Sequence, residues 1–191
     1  MRNLVTLLLL LFTLSAHATT PTGLAPRTGL LLVASEQIAD PRFQQSVILI
    51  TRHDMRGTSG LILNRQLGKL PPDLEKTLHT LPRGIFWGGP VEPLQVRALL
   101  FGQPPAGSDP LAPGLHLLHG QPLNELLHQS DLPEGELRVY LGYAGWAPAQ
   151  LAREISRGDW IVVQLGADTL KDLQPLRMWP ALLPASPSPW I

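Results

Sequence analysis

The sequence predicts an α+β fold: a single compact domain in which a mixed, mostly antiparallel sheet of about seven strands is flanked by about four short helices. Three observations carry this expectation. Short apolar runs, several rich in β-branched residues, recur between Gly- and Pro-rich turns and alternate with helical patterns too unevenly for a regular βαβ repeat. The chain has 191 residues and no linker long enough to divide it, which suits one domain. Hydrophobic residues make up 44% of it and charged residues 16%, so it has the material for a packed core and not the composition of a disordered chain.

Residues 1–18, MRNLVTLLLLLFTLSAHA, read as a secretory signal peptide. Arg2 supplies the positive start, residues 5–14 the apolar stretch, and Ala16-His17-Ala18 a site for cleavage after Ala18. That stretch is too short for a membrane span, which needs about 20 apolar residues. The mature chain is expected in the periplasm or outside the cell, meeting the membrane only through this transient segment. Residues 19–28 form a flexible lead rich in Pro, Thr and Gly, the domain is expected over 29–180, and residues 181–191 form a frayed tail.

Within the domain, residues 29–34 (GLLLVA) suit a buried strand. Residues 46–51 (SVILIT) and 60–64 (GLILN) suit an antiparallel hairpin joined by a turn over 52–59. A helix is expected over 71–81, with Pro72 in its first turn and Leu74, Leu78 and Leu81 on one face. Residues 85–87 are short and extended, stopped by Gly88-Gly89-Pro90, and 96–101 form a strand. Pro and Gly crowd 102–113, which reads as an exposed connection. A strand over 114–118 and a helix over 122–128 follow. Residues 136–143 alternate Leu137, Val139 and Leu141 with polar residues before a Gly-rich turn. A helix over 149–156, a strand over 160–165 and a short helix over 168–173 complete the domain.

Composition excludes several functions. With 15 basic and 15 acidic side chains, scattered along the chain, binding to nucleic acid by bulk charge is not expected. With no Cys, the chain has no disulfide, thiolate metal site, cysteine nucleophile or lipoprotein anchor.

The candidate chemistry lies in a few blocks. In Asp40-Pro41-x-Phe43-x-x-Ser46, the carboxylate before Pro can cap the following turn. Ser46 opens a strand and lacks the G-x-S-x-G elbow of a nucleophile. His53 beside Asp54 offers a base with an orienting carboxylate, although adjacent residues at a strand end point apart. His116 and His119 stand three apart on a strand, a weak metal signal, and neither a metal site nor a cofactor is expected. Gly88-Gly89 serves a tight turn or exposes N–H groups to an anion, but no P-loop or dinucleotide pattern surrounds it. The most specific block is Gly142-Tyr143-Ala144-Gly145-Trp146, followed by Gln150 and Glu154 four apart on a helix face. A Gly-rich turn entering a helix can hold an anion and its aromatics can stack on a ring. The same residues can equally pack on the sheet.

Taken in order and spacing, DPRFQQSVILI, SGLILN, WGGPVEP and GYAGWAPAQLAREI resemble the YqgE/AlgH family (UPF0301, DUF179), from about Gly29 to Trp179, nearly the whole mature chain. The resemblance implies a compact α+β domain with a bulged mixed sheet, but no established reaction. A transcriptional-regulator label is attached to the AlgH branch. Two departures stand out. The family's usual Leu-His pair after the GGPV strand is replaced by Leu99-Leu100-Phe101, and the family typically lacks a signal peptide.

The leading expectation is a non-enzymatic domain that binds a small ligand or a protein. Its candidate site gathers Gly88, Gly89, Tyr143, Gly145, Trp146, Gln150 and Glu154. The alternative is a hydrolase using His53 with Asp40, Ser46 or Glu154, which requires these groups to converge within hydrogen-bond reach. The regulatory reading ranks last, because export separates the protein from DNA.

Overall fold

The computed structural model describes residues 23–70, 85–103, 106–127 and 137–184. The signal peptide with its cleavage after Ala18, the helix expected over 71–81 and the last residues of the tail lie outside these residues. In chain order the elements are β1 (Leu31–Ala34), β2 (Val47–Asp54), β3 (Gly57–Ile62), β4 (Ile85–Trp87), β5 (Val91–Phe101), β6 (Asp109–Ala112), β7 (Leu115–His119), α1 (Gly120–Leu127), β8 (Leu137–Trp146), α2 (Gln150–Ser156), β9 (Trp160–Val163), α3 (Ala167–Asp172) and α4 (Pro175–Leu182). The strands form one open mixed sheet in the order β6-β7-β5-β8-β3-β2-β1-β9, with β4 also beside β8. The expected α+β class is observed, with nine strands among the described residues.

β8 organises the sheet. Along one edge it pairs antiparallel with β5, from Leu100↔Leu137 to Val96↔Leu141. Along the other it runs parallel to β4 (Ile85↔Val139 to Trp87↔Leu141), then antiparallel to β3 (Gly60↔Ala144 to Thr58↔Trp146). Gly142, at φ 70, sits where the partner changes. The Gly-rich segment expected to be a turn is therefore the continuation of a strand. Glycine there lets the strand twist past a crossing backbone instead of reversing it.

Other boundaries differ for equally local reasons. The β2–β3 hairpin closes more tightly than expected, because β2 continues through His53 to Asp54 across a bulge near Thr51. Residues 109–112, read as connection, form β6. It is an edge strand beside β7, where Pro110 needs no ladder partner on its outer side. β5 begins at Val91, ahead of the expected strand, and is interrupted between Val91 and Val96, where Glu92 adopts φ 46. The tail is helical through Leu182: Pro175 opens α4, Met178 is fully buried, and Trp179 Nε1 donates to Ala34 O at 2.7 Å.

Both faces of the central strands are covered, which is why 47–50 read as an unbroken apolar run. Leu31, Leu49 and Leu61 pack on one side with Leu170 and Met178 from α3 and α4. Leu32, Ile48, Ile50 and Ile62 pack on the other with Leu151 of α2 and the two tryptophans Trp146 and Trp160.

Candidate functional site

The turn after β1 begins the site. Asp40 Oδ1 accepts the Arg42 backbone N–H at 2.9 Å, and its carboxylate pairs with the Arg42 guanidinium at 2.7 Å. Hydrogen bonding to Arg42 holds the Asp40 carboxyl below its ordinary pKa, with slight burial opposing. The turn delivers Phe43 against Trp146 and Trp160. Phe43 stacks on Trp146 with centroids 6.3 Å apart and meets Trp160 edge-on at 5.9 Å, while the two indoles meet edge-on at 5.8 Å. Trp146 comes from the end of β8 and Trp160 from the start of β9, brought together by the short α2 between them.

Glu154 of α2 ties this cluster. One oxygen, Oε2, accepts both indole N–H groups at 2.8 Å, and Oε1 accepts Gln150 Nε2 at 2.9 Å. Gln150 in turn accepts the Ala147 N–H at 3.0 Å, taking the place of a side-chain cap at the start of α2. The four-residue spacing of Gln150 and Glu154 thus serves a hydrogen-bond network. Around it lies a cleft of about 400 Å³, lined by Asp40, Arg42 and Phe43, by Pro90 and Val91, by Gly145 and Trp146, and by Arg157 and Asp159, among others. Its rims carry the Asp40–Arg42 pair and an Arg157–Asp159 pair at 2.5 Å. Trp146 is only 6% exposed and Trp160 only 3%, so the indoles are walls of the cleft, and half-buried Phe43 is the aromatic more open to a ligand.

The cleft therefore unites Gly145, Trp146, Gln150 and Glu154 with Asp40 and omits the other candidates. Tyr143 lies three residues from Trp146 on a strand and faces the opposite side. There it supports the Arg97 guanidinium, 4.2 Å above its ring, in a separate polar groove of about 570 Å³. Burial lowers the pKa of Arg97 from its ordinary value. Gly88 and Gly89 are buried against β8. Gly88 N–H donates to Leu141 O at 2.7 Å, and a Cβ on Gly89 would fall 2.2 Å from the Tyr143 carbonyl carbon. They permit a backbone crossing and present no open loop to an anion.

The hydrolase set does not assemble. Ser46 is fully buried, and its hydroxyl donates to Phe43 O at 2.6 Å. His53 lies seven residues further along β2, roughly 20 Å away at extended-strand rise. Its ring is exposed near the hairpin tip, with Nδ1 2.7 Å from Thr58 Oγ1. Asp40 and Glu154 are engaged as described. Asn64 closes the same turn as Ser46: it accepts the Val47 N–H at 2.9 Å and donates to Gln45 O at 2.8 Å, fixing Gln45 at φ 55. Sequence reading missed Arg42, Arg157, Asp159 and Trp160 as cleft residues. The RGDW run directly after α2 was the available signal, since a short helix must return the chain to the same edge.

Fold and cleft together define a single-domain α+β protein with an aromatic, ion-pair-rimmed recess at one end of a mixed sheet. Comparison with known proteins gives the family: the AlgH-like family model (DUF179) matches residues 31–187, and the chain belongs to that family. A UPF0301 protein of Anaeromyxobacter sp. (strain K) is 34% identical over 173 residues, covering 83% of this chain and 86% of that protein. A UPF0301 protein of Streptomyces coelicolor is 35% identical over 172 residues, covering 85% and 88%. Among solved structures, a Corynebacterium diphtheriae protein shares the fold at a TM-score of 0.69 and 24% identity, covering 87% of this chain and 91% of its own. The solution structure of AlgH from Pseudomonas aeruginosa gives 0.65 at 28% identity, covering 82% and 88%.

Proposed function

We propose that this protein is a non-enzymatic binding domain of the periplasm or extracellular space, and that its aromatic cleft receives an apolar group of a small ligand or protein segment. The observation that carries this reading is the cleft itself. It draws residues from four separate blocks into one recess, and the carboxylate at its floor is already engaged by three N–H donors. Such a floor favours binding over proton transfer, because three fixed N–H donors hold the Glu154 carboxylate in place. The two rim ion pairs offer charge to polar flanks of the occupant.

The test is a thermal-shift screen with nucleotides, sugars, peptidoglycan fragments and short peptides, read in parallel by tryptophan emission. A true occupant raises the midpoint and shifts emission in the unaltered chain. Phe43→Ala and Arg157→Ala weaken it, and Met55→Ala at the exposed hairpin tip does not. Occupancy unchanged by either cleft variant would reject the site. Location is tested separately with a reporter active only after export, fused behind residue 191. An inactive reporter would return the protein to the cytoplasm and reopen the regulatory reading.

A further inference from the structure

A second recess lies on the other face of the sheet, beside the segment linking α3 to α4. It measures about 360 Å³ and is lined by Gln66, Phe86, Arg138, Asp172, Leu173 and Pro175, together with Lys171 and Gln174. Arg138 belongs to β8 and alternates with Leu137 and Val139, so it points away from the α1 side and toward the α3–α4 layer. It is 4% exposed. Its Nη2 donates to the Lys171 carbonyl, and its guanidinium lies 5.0 Å over the Phe101 ring. Its Nη1 is buried without a hydrogen-bond partner, and no carboxylate pairs with it among the described residues. Two residues along the same face, the Tyr140 hydroxyl is buried next to the Arg138 side chain, outside the lining of the recess. The Tyr140 ring packs 5.5 Å from Phe86, a wall of the recess.

A buried guanidinium without a counter-charge is costly, and its orphaned N–H adds to that cost. Such a donor on the wall of a cavity marks where an acceptor is missing. The lining indicates which acceptor. Arg138 and Lys171 stand against Asp172, an excess of one positive charge, which matches a monoanion. Phe86, Leu173 and Pro175 supply an apolar wall. A planar carboxylate suits the planar guanidinium fork better than a tetrahedral dianion, which Asp172 would repel.

We propose that this recess binds a monocarboxylate with an apolar body, Arg138 supplying the counter-charge and the donor. The site is independent of the aromatic cleft and of the binding reading given for it. Burial raises the Tyr140 pKa, with Arg138 partly offsetting, so the phenol beside Arg138 stays neutral at ordinary pH and offers it no counter-charge.

The test titrates the full chain with hexanoate, alongside hexanol and inorganic phosphate, following the thermal midpoint and the Arg138 side-chain N–H resonance. Hexanoate is expected to shift that resonance saturably and to raise the midpoint by roughly 5–10 °C at about a hundredfold excess over Kd. Arg138→Met should weaken hexanoate at least about tenfold, and Asp172→Asn should tighten it. Asp172 is exposed, so Asp172→Asn keeps the test decisive if Arg138→Met does not fold. No saturable response would mean that water satisfies the orphaned donor, and would overturn the proposal. So would an equal response to hexanol or phosphate, or hexanoate affinity indifferent to both substitutions.

Discussion

The aromatic cleft and the Arg138 recess lie on opposite faces of one sheet, and they treat their polar groups in opposite ways. In the first, Glu154 meets three N–H donors and Gln150 caps the helix that carries it. In the second, a buried guanidinium keeps an unpaired N–H. The contrast separates scaffold from opportunity. A network closed on itself rigidifies its surroundings and leaves shape and rim charge to do the recognising. An open one carries unmet hydrogen-bonding capacity that a ligand can satisfy. One segment joins the two: Phe86 of β4 lines the recess and Pro90, four residues on, lines the cleft.

That shared segment is where the comparison is most easily broken. Gly89→Ala would drive a methyl group into the β8 backbone at φ 149, with an expected loss of roughly 3–5 kcal/mol and damage to both sites. Chemical denaturation measures it, and a loss below about 1 kcal/mol would show that the crossing is looser than described. Glu154→Ala attacks the closed network alone. It leaves two indole N–H groups without their acceptor and should lower stability by about 2–4 kcal/mol while sparing the Arg138 resonance. Asn64→Ala opens the turn that positions Phe43, at about 1–2 kcal/mol, with tryptophan emission moving to the red.

Arg138→Met is expected to leave stability within about 1 kcal/mol of the parent in either direction, because relief of an unpaired buried charge offsets the lost contacts. A cost as large as that of Glu154→Ala would erase the distinction between the two regions. The smallest effect belongs to the rim. Asp40 has a folded pKa below its ordinary 3.8, so its contribution is present above that value and disappears as pH falls through the lowered folded pKa. Asp40→Asn should flatten that acid limb of the thermal midpoint and leave neutral pH nearly unchanged.

Legibility followed the range of the interactions involved. The hairpin around 47–62, the strand at 160 and the helix at 150 could be read because periodicity and turn chemistry are local. The capping role of Asp40 was equally local. β6 and α4 were obscured by Pro110, Pro175 and Pro180, which weaken a local pattern without forbidding an edge strand or a short helix. The conversion of Gly142–Gly145 from turn to strand could not be read at all. It depends on β8 exchanging β4 for β3 as its neighbour, a pairing between segments far apart in sequence. The same change moved Tyr143 out of the candidate site, since three residues along a strand reverse the face where a turn would not.

By itself the sequence determined the class of the domain and its family, because these rest on composition, short-range pattern and motif order. The tertiary structure alone decided how the motif blocks divide: Gly88 and Gly89 to a backbone crossing, Ser46 to a buried turn, His53 to an exposed hairpin, Trp146 and Glu154 to a closed network. It alone revealed Arg138 as a charge without a partner. Hydrogen-bond satisfaction and burial are properties of neighbours in space, and a chain folded into a sheet chooses those neighbours over distances that sequence spacing does not encode.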